Sequence, residues 1–124
     1  MTPLFDRLIP ILFMGDPEGE RDFHVRLGFE ITYQGSEFPD FVAMGCGPIE
    51  FGLEHKDGFS RDDPGRVLTW QFGVTDLEPA KEQLTAAGVD YDEESVTPSA
   101  DWRYRVLHAR APNGYDLLLK GGRE

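Results

Sequence analysis

Leu8–Glu30, LIPILFMGDPEGERDFHVRLGFE, decides the fold because the chain writes it a second time as Leu68–Asp90, LTWQFGVTDLEPAKEQLTAAGVD. The offset is constant: Asp16 falls on Asp76, Glu18 on Glu78, Gly28 on Gly88, Phe29 on Val89 and Glu30 on Asp90. Each copy reads as a short apolar strand, an Asp cap, about three helical turns, a Gly stop and a second strand. In the first copy Leu8–Met14 is the strand, Asp16 the cap, and Pro17 the first helical residue, where a missing N–H costs nothing. Glu18 and Glu20 lie in the first turn, at the positive end of the helix dipole. Phe23 and Leu27, four apart, are the expected buried stripe; Gly28 ends the helix and Gly19 weakens its start.

Outward from this stretch, Phe29–Gln34 is aromatic and β-branched enough to be a strand. Gly35–Pro39 is a turn, Phe41–Met44 a strand and Gly45–Pro48 a tight turn. Ile49–His55 alternates, with Ile49, Phe51 and Leu53 on one face and Glu50, Gly52 and Glu54 on the other. Lys56–Arg66, KDGFSRDDPGR, is a polar connector. The second copy gives a strand at Val67–Val74, a helix from Asp76 through Ala87, and a short strand at Val89–Tyr91. Asp92–Asp101 reads as a charged loop, Arg103–Arg110 as a strand, Ala111–Gly114 as a turn and Tyr115–Lys120 as the last strand. Gly121–Glu124 is expected to fray.

The expected fold class is therefore α+β. One domain, 1–124, is built of two tandem βαβββ modules, 5–55 and 67–120, joined by the connector 56–66. Two helices are too few to cover a sheet on both faces, so the expected form is a curved mixed sheet around a cleft.

Composition narrows the function. The 124 residues carry 23 acids against 12 bases, a net charge of −11. Such a surface repels phosphate backbones, which argues against nucleic acid, and attracts basic small molecules while also aiding solubility. No stretch is long and apolar enough to span a membrane. The N-terminus lacks a basic leader and Pro10 breaks its apolar run, so the expected address is cytoplasmic. Cys46 is the only cysteine, which excludes an intrachain disulfide and a cysteine-cluster metal site.

Alternation along each strand sorts the faces. The cleft side receives Glu50, Gly52 and Glu54; Thr69, Gln71 and Gly73; Tyr104, Val106 and His108, with Trp102 in phase at the mouth; and Asp116, Leu118 and Lys120. The first strand adds Ile9, Ile11 and Phe13. Trp70, Phe72 and Val74 take the packing side. The cleft so drawn is aromatic, with one or two carboxylates and a histidine, which suits a flat, partly cationic organic ligand. Trp102 stands in a polar junction, DWRYR, where core packing gives little reason for a Trp. Glu50 needs a partner there, from Arg103, Arg105, His108 or a ligand cation. His24, His55 and the run EHKD at 54–57 read as solvated.

These residues resemble the vicinal oxygen chelate superfamily: glyoxalase I, extradiol dioxygenases, fosfomycin-modifying enzymes and bleomycin-binding resistance proteins. The resemblance is carried by Pro10–Asp16, RLGFE at Arg26–Glu30, Asp76–Gly88 with its AAGV, and the series Trp102, Arg105, Arg110, Pro112, Asn113 and Gly114. That series is similar to the family's W-G-x-R-x-F…D-P-x-G pattern, with Arg103 in place of the Gly and Ala111 in place of the Asp. In the family's metal enzymes four strands each bring one ligand; carried over, those positions are Ile9, Glu50, Thr69 and Leu118. Only Glu50 is a strong donor, and aliphatic side chains at two positions exclude the usual site, so no metal and no other cofactor is expected.

The resemblance then implies the bleomycin-resistance branch, which binds drug by sequestration and forms homodimers that commonly exchange the N-terminal strand. Its ligand-contacting aromatics correspond here to Tyr33, Phe38 and Trp102. The implied site is Phe13, Tyr33, Phe38, Glu50, Trp70, Trp102, Tyr104 and His108, with no catalytic group. The alternative is a glyoxalase- or dioxygenase-type enzyme of the same fold, using Glu50 and His108 as an acid–base pair or a non-standard metal site.

Overall fold

The structure, a computed structural model, describes Leu4, residues 7–59 and residues 69–124. The chain divides into two compact units, Met1–Phe59 and Ser60–Glu124. The first contains β1 (Ile11–Met14), α1 (Pro17–Arg26), β2 (Glu30–Tyr33), β3 (Phe41–Cys46) and β4 (Ile49–His55). Its four-stranded sheet has the order β1-β4-β3-β2, with β1 parallel to β4 and the other pairs antiparallel. The second contains β5 (Thr69–Gly73), α2 (Leu77–Ala86), β6 (Asp92–Ser99), β7 (Trp102–Arg110) and β8 (Asp116–Lys120). Its order, β5-β8-β7-β6, again has only the β5–β8 pair parallel. Each unit is a βαβββ module of one topology, as the repeated stretch requires. Part of the expected connector and the start of the expected strand at Val67 lie outside the described residues.

The repeat extends to single hydrogen bonds. Asp16 accepts from the Gly19 N–H at 3.0 Å and Asp76 from the Glu78 N–H at 3.0 Å, each satisfying an orphan donor of the first turn. Gly19 has a use that its helix propensity hides, because a Cβ there would overlap the Asp16 carboxylate. At the other end Gly28 (φ 100°) and Gly88 (φ 74°) turn left-handed. Their N–H groups reach Val25 and Thr85, while those of Phe29 and Val89 reach His24 and Leu84, one closing motif used twice.

Leu12, Met14, Phe23, Val42, Met44, Phe51 and Leu53 form the first core; Leu77, Leu84, Leu107, Tyr115 and Leu117 belong to the second. The face of α1 toward its sheet is wider and more polar than expected. His24 is not solvated: it is 0% exposed, as is Glu20, and the two meet at 3.2 Å. Glu20, Phe23, His24 and Leu27 share one helical face, so periodicity overrides side-chain polarity here. The His24 ring sits edge-on among Phe23, Phe29 and Phe51 at 5.2, 5.3 and 4.9 Å.

Two other expectations fail. Asp92–Asp101 is not a loop: Asp92–Ser99 is β6, antiparallel to β7, and Val89–Tyr91 is not a strand. Consecutive charges and Pro98 are tolerated because β6 is an edge strand. Its charges are also paired: Glu93 meets Lys81 at 2.8 Å and Arg105 at 3.0 Å. The tail does not fray either. Gly121 N–H donates to Arg105 O, Glu124 N–H to Arg103 O at 2.7 Å, and the Glu124 carboxylate holds Arg105 Nε at 2.7 Å. Among the described residues no helix is long and apolar enough to cross a membrane.

Candidate functional site

In the second unit Arg105 reaches Glu78 of α2, so it marks the helix side of the sheet together with buried Leu107 and Leu117. Trp102, Tyr104, Val106 and His108, in the opposite phase along β7, take the face without a helix. Register completes that face: Val106 pairs with Lys120 and His108 with Leu118, while Gly73 and Gln71 of β5 flank the same two β8 residues.

At one end of this face Trp102 and Tyr104 lie 5.7 Å apart at 44°. The Lys120 ammonium sits over both rings, 4.6 Å from the Tyr104 centroid and 5.8 Å from that of Trp102. A cavity of about 430 Å³ opens beside them, bounded also by Gly73, Gly122 and Arg123. That volume lies in the range of small-molecule sites. Trp102 keeps 38% of its surface exposed. A Cβ on Gly73 would meet nothing within 4 Å, so the missing side chain leaves usable space rather than relieving a clash.

Toward the other end His108 Nε2 lies 2.9 Å from Glu94 Oε2, and Arg110 approaches Asp116 at 3.8 Å. A second cavity, about 310 Å³, is bounded there by Asp90, Asp92, His108, Arg110 and Asp116. The face therefore offers cations with aromatic rings at one end and mainly carboxylates at the other.

The remaining sequence-derived residues distribute as follows. Trp70 stands opposite Leu117 on the helix side, stacked on Phe72 at 5.8 Å, away from Trp102, Tyr104 and His108. Phe13, Tyr33, Phe38 and Glu50 belong to the first unit. Phe13 packs on Phe59 at 6.0 Å with the Lys56 ammonium 5.2 Å from its ring. Tyr33 contacts Phe38 (6.1 Å) and Phe41 (6.3 Å), and Phe38 is 64% exposed. Glu50 pairs with Arg7 at 3.3 Å, an internal partner that the sequence reading did not name. Arg105 is instead engaged by Glu124 and Glu93, whose contacts raise its pKa, and His108 by Glu94.

Of the positions to which the resemblance carries metal ligands, Ile9 and Leu118 have aliphatic side chains that cannot ligate, and only Glu50 is a strong donor. Among the described residues no group of three or more His, Cys, Asp and Glu side chains is placed to hold a metal. Sequence reasoning set Lys120 and Gly73 on the correct face but gave them no role. It missed Arg123 because it read the tail as frayed. Their meeting depends on β5–β8–β7 register, which no local pattern reveals.

No protein-family model matches the chain, and no curated protein matches it. Solved structures do, over nearly its whole length. It is similar to a glyoxalase/bleomycin resistance protein/dioxygenase from Alicyclobacillus acidocaldarius, with a TM-score of 0.74, 13% identity and coverage of 98% of this chain and 94% of that one. It is similar to a bleomycin-binding protein complexed with bleomycin, at 0.71, 16% identity and coverage of 95% and 99%. It is also similar to lactoylglutathione lyase from Agrobacterium tumefaciens, at 0.66, 16% identity and coverage of 97% and 96%. At such identities the likeness is one of fold. The chain has the glyoxalase/bleomycin-resistance fold, α+β with two repeated modules and two four-stranded mixed sheets.

Proposed function

We propose that this protein binds a small, flat organic molecule without transforming it, giving antibiotic resistance by sequestration in the manner of the bleomycin-resistance proteins. One observation carries the reading: a partly exposed Trp102, tilted against Tyr104, borders a cavity of about 430 Å³ on a sheet face that no helix of its unit covers. An exposed indole beside a cavity offers apolar area and a stacking surface together. The carboxylates at the His108 end, Asp90, Asp92 and Asp116, provide for a basic group on the same ligand. The proposed assembly is a homodimer exchanging the N-terminal strand, supported by exposed Leu4 (89%), Leu8 (86%) and Ile11 (50%).

Tryptophan fluorescence titrated with bleomycin and other flat basic antibiotics tests the binding. The expected result is saturable quenching that is lost in Trp102→Ala; no quenching, or unchanged quenching in that variant, contradicts it. Sedimentation tests the dimer, and a monomer at all concentrations removes that part alone.

A second reading, an enzyme of glyoxalase or dioxygenase type, draws on the 2.9 Å His108–Glu94 pair, a combination suited to proton transfer. Stoichiometric Zn, Mn, Fe or Ni in protein purified without chelator would favour it.

A further inference from the structure

We propose that the group bound beside Lys120 is an anion: the corner formed by Gly73, Trp102, Tyr104, Lys120, Gly122 and Arg123 accepts the charged end of a flat organic anion, of which an aromatic carboxylate is the simplest. This rests on the reading that the helix-free face of the second unit binds a small molecule, and it fixes the charge of one end of that molecule.

Lys120 already lies against the aromatic pair. The attraction of the Tyr104 and Trp102 rings for a cation is already met by its ammonium, at 4.6 and 5.8 Å. A basic ligand placed on the same rings would bring a like charge against Lys120. A flat anion has the opposite relation, lying against the Trp102 ring while its charge meets the ammonium.

Acids outnumber bases 23 to 12 in this chain, yet among the described residues no ion pair joins Lys56, Arg103, Lys120 or Arg123 to a carboxylate. Arg7, Arg21, Lys81, Arg105 and Arg110 each have a carboxylate within ion-pairing distance. Among the described residues neither Lys120 nor Arg123 has one: Lys120 meets aromatic rings, and Arg123 donates to the Asp101 carbonyl. Two cations lacking a counter-ion thus border one cavity whose walls supply no carboxylate.

Neither Gly73 nor Gly122 has a positive φ, and a Cβ on either would meet nothing within 4 Å, so the cavity is open where the two cations border it. The charged atoms and the volume coincide.

Three probes of one shape and different charge test the proposal: 2-naphthoate, 2-naphthamide and 2-naphthylmethylammonium. Each is titrated into the ¹⁵N-labelled full chain while the indole N–H of Trp102 is followed, with that of Trp70, on the helix side, as an internal reference. The expected result is that naphthoate moves the Trp102 signal about tenfold more tightly than the amide, a typical gain for a charge-assisted contact. Lys120→Met should abolish this preference, bringing the naphthoate and amide affinities to within about twofold of each other. Gly73→Phe, which fills the cavity, should abolish binding of both, with retained spectral dispersion showing that it folds. An amide or ammonium that matches or exceeds naphthoate overturns the anion assignment and leaves small-molecule binding in place. If no probe moves Trp102 at millimolar concentration, the proposal falls together with the binding reading beneath it.

Discussion

The two modules share a topology, a pair of capped helices and the same closing turns, yet equivalent positions have been filled in opposite ways. Register makes the correspondence: Phe13 of β1 pairs with Glu54 of β4, and Gly73 of β5 pairs with Lys120 of β8. Where the first module has a large ring beside an acid, the second has a gap beside a base. In the first, Phe13 contacts Phe59 and the Phe41 ring covers Gly52 closely. In the second, the corresponding corner holds the cavity with Trp102 and Lys120. The helices differ as well. His24 and Leu84 occupy the same place in the repeat, both 0% exposed, and Glu20 stands where the second copy has Ala80. The topology is repeated, while the side chains at equivalent positions differ in size and charge.

The largest effect is expected from breaking the polar contact in the first core. Glu20→Ala leaves His24 buried without its carboxylate and should cost about 3–5 kcal/mol in urea unfolding. Writing the second helix into the first, Glu20→Ala with His24→Leu, removes both polar groups together and should restore stability to within about 1 kcal/mol of wild type. A double variant as unstable as the single one would show that the pair has a packing role no apolar residue replaces.

Next is the cavity. Gly73→Phe makes the second module resemble the first, and ligand affinity at Trp102 should drop by more than about tenfold while stability changes by under about 1 kcal/mol. Retained affinity in calorimetry would mean that the cavity beside Gly73 is not used.

The caps should behave as a matched pair. Asp16→Ala and Asp76→Ala should each cost about 1 kcal/mol in denaturant unfolding, since each carboxylate accepts from one first-turn N–H at 3.0 Å. A cost confined to one copy would break the equivalence.

The smallest effect is electrostatic. Glu93 has its pKa lowered from 4.5, first by its hydrogen bond to Lys81 and then by Lys81 and Arg105 charge. A carboxylate whose pKa is lower in the folded chain stabilises it above the unfolded value, and that contribution fades as pH falls through the folded value. Below about pH 4.5 wild type should therefore lose part of an advantage that Glu93→Gln never has. Stability curves for the two that run parallel through this window would contradict the assignment.

How far the sequence could be read depends on the scale of the signal. The repeated cap, helix and Gly stop are local, and both helices and the strand Ile49–His55 were legible from them. Alternation placed Trp102, Tyr104, His108 and Lys120 on one face, because period two survives any tertiary context. Three things were illegible. β6 carries loop-like charges that only an edge position and the partners Lys81 and Arg105 explain. His24 looks polar until its neighbours Phe29 and Phe51, brought from elsewhere in the chain, enclose it. The Lys120 corner needs three strands in register and an ordered tail, all non-local.

The most direct test of the account is to map which backbone amides of the labelled chain respond as an aromatic carboxylate is added. The account predicts that the amides of Gly73, Trp102, Tyr104 and Lys120 move together with saturation, while Phe13, Gly52 and Glu54 on the corresponding face of the first module stay in place. Shifts centred on Phe13 and Glu54, or none around Lys120, would contradict it.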